Sequence, residues 1–191
     1  MPIDHFRKIK FIHIPKNAGS AVFTSLGLRP AFDTHATWFD LSEYKYPSFA
    51  VVRDPVDRFL SCINFILTSQ SLWHNKNNLH IDKPHVEKMS IDEIIAELSK
   101  PYRASKLKGV CWLRQSYFIC NKGKIMVDKL IDYRNIESEL NIWLTTLGRN
   151  KIDLKHVNIS HKINKVCTKE QADMIYKIYD DDDILYKSVT S

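Results

Sequence analysis

Lys16, Gly19 and Ser20 fall in the run Ile14-Pro-Lys-Asn-Ala-Gly-Ser20, and Arg53 and Ser61 in Val52-Arg-Asp-Pro-Val-Asp-Arg-Phe-Leu-Ser61. These residue types hold anions. A turn that leaves a strand and enters a helix presents unpaired N–H groups at the positive end of the helix dipole, here those of Asn17, Ala18, Gly19, Ser20 and Ala21. Gly19 lets the backbone come close to an anion, Ser20 adds a hydroxyl and Lys16 a positive charge. In the second run a guanidinium at a strand end and a hydroxyl two helical turns further on suit a phosphate monoester. Together the runs describe one anionic ligand, a nucleotide, gripped at two points. Arg58 is left outside the ligand shell, because it follows Asp54 by four residues and can pair with it along one helix face. The first run departs from G-x-x-x-x-G-K-[ST], since its lysine precedes its single glycine, which disfavours an ordinary ATP or GTP loop.

The elements that must position these groups are short apolar strands alternating with helices. Lys10-Phe-Ile-His-Ile14 reads as a buried strand ended by Pro15, and Ser48-Phe-Ala-Val-Val52 as the interior of a parallel sheet. Helices are expected over 20–26, stopped by Gly27, and from Pro55, capped by Asp54, with Val56, Phe59, Leu60, Ile63, Ile66 and Leu67 on one stripe. Residues 68–88 turn polar and read as a surface excursion on the acceptor side. Ser90-Ile-Asp-Glu93 and Thr168-Lys-Glu-Gln171 are capping boxes for two further helices, the second running to about Tyr179. Residues 117–120 and 124–127 read as a hairpin around Asn121-Lys-Gly123, followed by a strand over 130–133 and a helix over 137–147 closed by Gly148. These units make an α/β chain.

With 191 residues, 44% of them hydrophobic, the chain suits a single domain over 1–191. Its 28 basic and 22 acidic residues give +6, compatible with anionic partners. No basic run suggests nucleic-acid binding, and Asp180-Asp-Asp-Asp183 argues against a uniformly basic face. No apolar stretch reaches the roughly 18 residues of a membrane span, and the first residues lack the apolar core of a signal peptide, so the expected compartment is cytoplasmic. The four cysteines lack any C-x-x-C pair and read as buried thiols, with no metal expected.

The two runs resemble the 5′-phosphosulfate loop and the 3′-phosphate motif of sulfotransferases that use 3′-phosphoadenosine 5′-phosphosulfate (PAPS). The similarity is greatest to the Golgi-type carbohydrate enzymes, including the heparan 2-O-sulfotransferases. It covers residues 10–66, with thinner similarity at Leu113–Ile119, Ile131–Ile136, Ile175–Asp180 and the basic loop His156–Lys162. Where many relatives carry an acidic residue after the aromatic of the 131–136 landmark, this chain has Arg134.

The resemblance implies a P-loop NTPase-like three-layer fold with a central parallel sheet flanked by helices. It also implies in-line transfer of sulfonate from PAPS to a hydroxyl, leaving 3′-phosphoadenosine 5′-phosphate (PAP), without a divalent metal. Lys16 and the N–H groups of 17–21 would stabilise charge on the leaving phosphate, and Arg53 and Ser61 would hold the 3′-phosphate. His35, between the two runs where the carbohydrate enzymes place their histidine, would be the base, its ring titrating near neutrality. His13, within a strand, reads instead as a packed residue. The expected acceptor is a glycan; Trp38, Trp73 and His74 suit contact with sugar rings and equally packing against the sheet, and Lys83, Lys88 and Arg103 suit an acidic glycan and equally plain solubility, so none is singled out. Two alternatives are a non-catalytic PAP- or polyanion-binding module and an ATP-dependent kinase.

Overall fold

The computed structural model describes residues 2–28, 35–68, 79–155 and 166–190. In chain order the elements begin with β1 (Ile3–Asp4), β2 (Ile9–Ile12), α1 (Gly19–Ser25), β3 (Ser48–Val52), α2 (Pro55–Thr68), α3 (Lys83–Val86), α4 (Ile91–Leu98) and α5 (Gln115–Ile119). They continue with β4 (Cys120–Asn121), β5 (Lys124–Ile125), β6 (Lys129–Asp132), α6 (Ile136–Thr146), α7 (Lys169–Ile178) and α8 (Asp180–Thr190). No helix of the described residues is long and apolar enough to cross a membrane. The chain divides into two compact units, one of Met1–Arg53, Arg114–Val157 and Ile184–Ser191, the other of Asp54–Leu113 and Asn158–Asp183.

The first unit holds a mostly parallel sheet in the order β1-β2-β3-β6, with only the β1–β2 pairing antiparallel. Phe11 pairs with Phe49 and Val52 with Asp132, so side chains of one parity share a face. On that face Ile9, Phe11, Phe49, Val51 and Ile131 meet Val22, Phe23 and Leu26 of α1 and Ile136, Leu140 and Leu144 of α6 in one core. Ile12, Ala50 and Val52, of the opposite parity, are equally buried, which accounts for the unbroken apolar runs. Because β2, β3 and β6 run parallel, the turn after β2, Arg53 after β3 and Tyr133 after β6 all leave the carboxyl edge of the sheet. Gly27 and Gly148 have φ of 71° and 66° and follow α1 and α6, as expected of helix-ending glycines.

In the second unit Phe59, Cys62, Ile63 and Ile66 of α2 pack with Ile94 and Ile95 of α4 and Ile175 of α7, and Val56, Leu60 and Leu67 border this core. Asp54 caps α2 as read, its Oδ1 accepting from the N–H groups of Val56 and Asp57 at 2.9 Å. Both capping boxes, at Ser90/Glu93 and Thr168/Gln171, form.

Three expectations need correction. Residues 115–119 are helical and the hairpin strands shrink to β4 and β5; Gln115, Phe118 and Ile119 are buried, the i, i+3, i+4 pattern that a short apolar run conceals. Arg58 is no surface partner of Asp54. Its side chain, on a residue 2% exposed, donates to the carbonyls of Cys111 and Leu113 and lies 4.0 Å from Asp182, while the second oxygen of Asp54 accepts from the Tyr176 hydroxyl. The 68–88 excursion is not all surface, since His80, Asp82 and Val86 are buried. Trp73 and His74, like the loop 156–162, lie outside the described residues.

Candidate functional site

The turn between β2 and α1 is built around two left-handed residues that are not glycine. Lys16 and Ala18 have φ of 72° and 59°, conformations that cost about 1–3 kcal/mol each for L side chains. Left-handed residues this close together turn successive N–H groups toward one side, the geometry of an anion-binding nest. Ala18 is the N-cap of α1 and no side chain caps the helix. Among the described residues no capping acceptor is found for the first-turn N–H groups of Gly19, Ser20 and Ala21, and Ser20 is exposed.

Asn17 differs from its neighbours. Its N–H donates to Ile14 O at 3.3 Å. Its side chain, on a residue 0% exposed, donates from Nδ2 to Val51 O at 2.7 Å and to Gln115 Oε1 at 2.6 Å. Gln115, also fully buried, accepts from Arg53 N–H at 3.0 Å through the same oxygen and donates from Nε2 to Arg53 O at 2.9 Å. Asn17 and Gln115 thus brace the turn against the end of β3. Gln115 was not a candidate from sequence; a buried glutamine has no local signature, and only its position in the 113–119 landmark pointed to it.

Arg53 joins the turn directly. Its Nη1 donates to Lys16 O at 3.2 Å and its guanidinium carbon stands 4.2 Å from the centre of the Tyr133 ring. Arg53 Nε is buried with no hydrogen-bond partner among the described residues, so an acceptor oxygen at that nitrogen would complete it. Ser61 lies half-buried on α2 in the second unit. Arg134, the departure noted above, pairs with the buried Asp132 through Nε and Nη2 at 2.9 and 2.8 Å.

His35 joins the turn through His13. The His35 ring lies 4.4 Å from that of His13, centre to centre, and its Nδ1 is 3.3 Å from His13 O. A carbonyl can only accept, so Nδ1 carries the proton and Nε2 is the lone-pair nitrogen of the neutral ring. Three residues on, Trp38 donates from N–H to Phe118 O at 2.8 Å and from Nε1 to Cys120 O at 3.1 Å, fastening the segment to α5 and β4.

Gly19 has a requirement the sequence did not reveal. A Cβ built on it would stand 1.7 Å from His13 Nε2 and 2.1 Å from Cδ2, so the imidazole fills the space a side chain would need. Gly19→Ala is expected to destabilise the protein by about 1–3 kcal/mol, as overpacking does, and His13→Ala in the same chain should return most of that loss. Thermal unfolding of the two variants checks this; an unchanged melting temperature for Gly19→Ala would show that the ring does not occupy that space.

The turn after β2 thus opens a helix at the carboxyl edge of a mostly parallel sheet, with an arginine and a histidine tied to it. The chain matches the model described as "Sulfotransferase family" over residues 3–187, and it belongs to the sulfotransferase family. Membership supports sulfonate transfer in general and makes the chain a transferase. No curated protein and no solved structure matches it.

Proposed function

We propose that this protein moves a sulfonate group from PAPS to a hydroxyl of a carbohydrate acceptor, with His35 as general base, on a P-loop-like layered fold. The observation that carries the reading is that the Lys16 turn, Arg53 and His35 are linked within one unit, Arg53 through Lys16 O and His35 through His13 beside Gly19. Lys16 and the N–H groups of Ala18, Gly19, Ser20 and Ala21 stabilise charge growing on the leaving 5′-phosphate. Asn17 holds that turn in shape. Arg53, whose Nε lacks an acceptor among the described residues, takes the 3′-phosphate. His35 Nε2 accepts the acceptor's proton as its oxygen bonds to sulfur and the bond from sulfur to the phosphate oxygen breaks. Among the described residues there is no cluster of His, Cys, Asp or Glu fit to hold a metal ion.

Thermal unfolding with PAP, with ADP plus magnesium, and with AMP tests the donor. PAP is expected to stabilise most, by about 2.7 kcal/mol at a hundred times its Kd. Stabilisation by ADP with magnesium and none by PAP would replace this reading with a kinase. A panel of glycan acceptors supplied with PAPS then tests transfer, and PAP binding without transfer to any of them would leave a binding module.

A further inference from the structure

We propose that His13 is a positioning residue for the reaction, holding the His35 ring with Nδ1 on the His13 carbonyl so that Nε2 is the nitrogen left to take a proton, and joining it to the turn at Gly19; the proposal rests on the reading of His35 as the base. His13 is 9% exposed, so it is placed to act through a neighbour. Its imidazole stacks on Phe11 at 5.6 Å and 26° and meets the edge of Phe23 at 5.3 Å and 81°. Two aromatic contacts at steep angles to each other fix both the place and the tilt of the ring. The ring so fixed touches two functional elements. On one side it fills the Cβ space of Gly19, and on another it lies against His35 at 4.4 Å with a 36° tilt.

The main chain of the same residue adds the second constraint, because His13 O is the acceptor for His35 Nδ1. A half-turn of the His35 ring about χ2 would put Cδ2 where Nδ1 stands, losing that bond and turning Nε2 away. The His13 ring opposes the half-turn sterically, and only while the ring holds Nδ1 against it can the His13 carbonyl select the tautomer. When His35 takes a proton, the Nδ1–H to carbonyl bond becomes charge-assisted and strengthens, which favours the state the reaction forms. Burying an imidazole between two phenylalanines costs more than burying a third hydrocarbon ring would. A residue that only filled the core beside Gly19 would have no need of that polarity.

The test reads the tautomer of His35 by long-range 1H–15N correlation on histidine-labelled protein, above the pH at which the rings protonate, with PAP stabilisation measured alongside. In the parent protein His35 is expected as the Nδ1–H form. In His13→Ala it should become a mixture of tautomers, and in His13→Phe, which restores a ring against His35, the Nδ1–H form should again dominate. PAP stabilisation should change little in either variant. With PAPS and an acceptor, His13→Ala should lower kcat about 10²-fold, the scale of a small misplacement of a reacting group, with the donor KM within about threefold, no larger than a small packing change produces. A His35 that stays fixed as Nδ1–H in His13→Ala, or that is the Nε2–H form in the parent, would overturn the proposal. So would a loss of PAP stabilisation matching the loss of kcat, which would make His13 a packing residue of the turn alone. Should His13→Ala fail to fold, the comparison of parent and His13→Phe decides, a mixed tautomer in His13→Phe counting against the proposal. Failure of the base reading is seen separately, as unchanged turnover in His35→Ala, because the tautomer measurement needs no turnover.

Discussion

His35→Ala is expected to lower sulfonate turnover about 10²–10⁴-fold, the range a positioned general base supplies, while PAP still raises the melting temperature as it does in the parent. Lys16→Ala is expected to lose turnover and PAP stabilisation together. The two residues should separate because, in the proposed reaction, the Lys16 turn meets the nucleotide whereas His35 acts on the acceptor's proton. Lys16→Ala is a clean probe of the ammonium group: alanine bears a left-handed φ no worse than lysine does, and the bond from Arg53 goes to the Lys16 carbonyl, which the substitution keeps. Turnover and thermal shift on the two variants provide the check. Unchanged turnover in His35→Ala would remove His35 from the reaction, and full PAP stabilisation in Lys16→Ala would remove the ammonium from the nucleotide site.

What could be read from sequence was what neighbouring residues determine. The turn after β2, the Asp54 cap, the two capping boxes and the apolar stripe of α2 all depend on spacings of a few positions, and each is present. The bracing of the site is different in kind. Asn17 meets Gln115 across 98 residues, Arg53 meets Tyr133 across the sheet, and His13 meets His35 across 22 residues. Such pairs leave no period in the chain. Gly19 shows the limit most clearly: its place in the turn was evident, yet the nearest reason for a glycine is the His13 ring lying where a Cβ would be. The polar stretch before α4 misled for the complementary reason, because composition reports polarity and says nothing of whether partners exist to bury it.

Asp82 is the residue on which that stretch turns, and Asp82→Ala is expected to destabilise the protein by about 3–5 kcal/mol, since three buried donors would each lose their acceptor at about 1–3 kcal/mol. The residue is 1% exposed. Its Oδ1 accepts from Lys108 N–H at 2.7 Å, and its Oδ2 from Gly109 N–H at 2.7 Å and Trp112 Nε1 at 2.8 Å. Its own N–H donates to His80 Nδ1 at 3.1 Å, which fixes the lone pair of that ring at Nδ1. Gly109 makes the close approach possible, since a Cβ there would stand 2.6 Å from Oδ2 and 2.5 Å from His80 Cε1. Alanine at 82 would strand three donors in the interior of the second unit. Asparagine is nearly isosteric and should still destabilise, because its amide keeps one acceptor and sets an NH2 group against a donor it cannot satisfy. A common packing role would instead let asparagine pass as wild type. Urea unfolding of both variants distinguishes the two accounts, and a fully stable Asp82→Asn would show that shape, not the three accepted hydrogen bonds, is what Asp82 contributes.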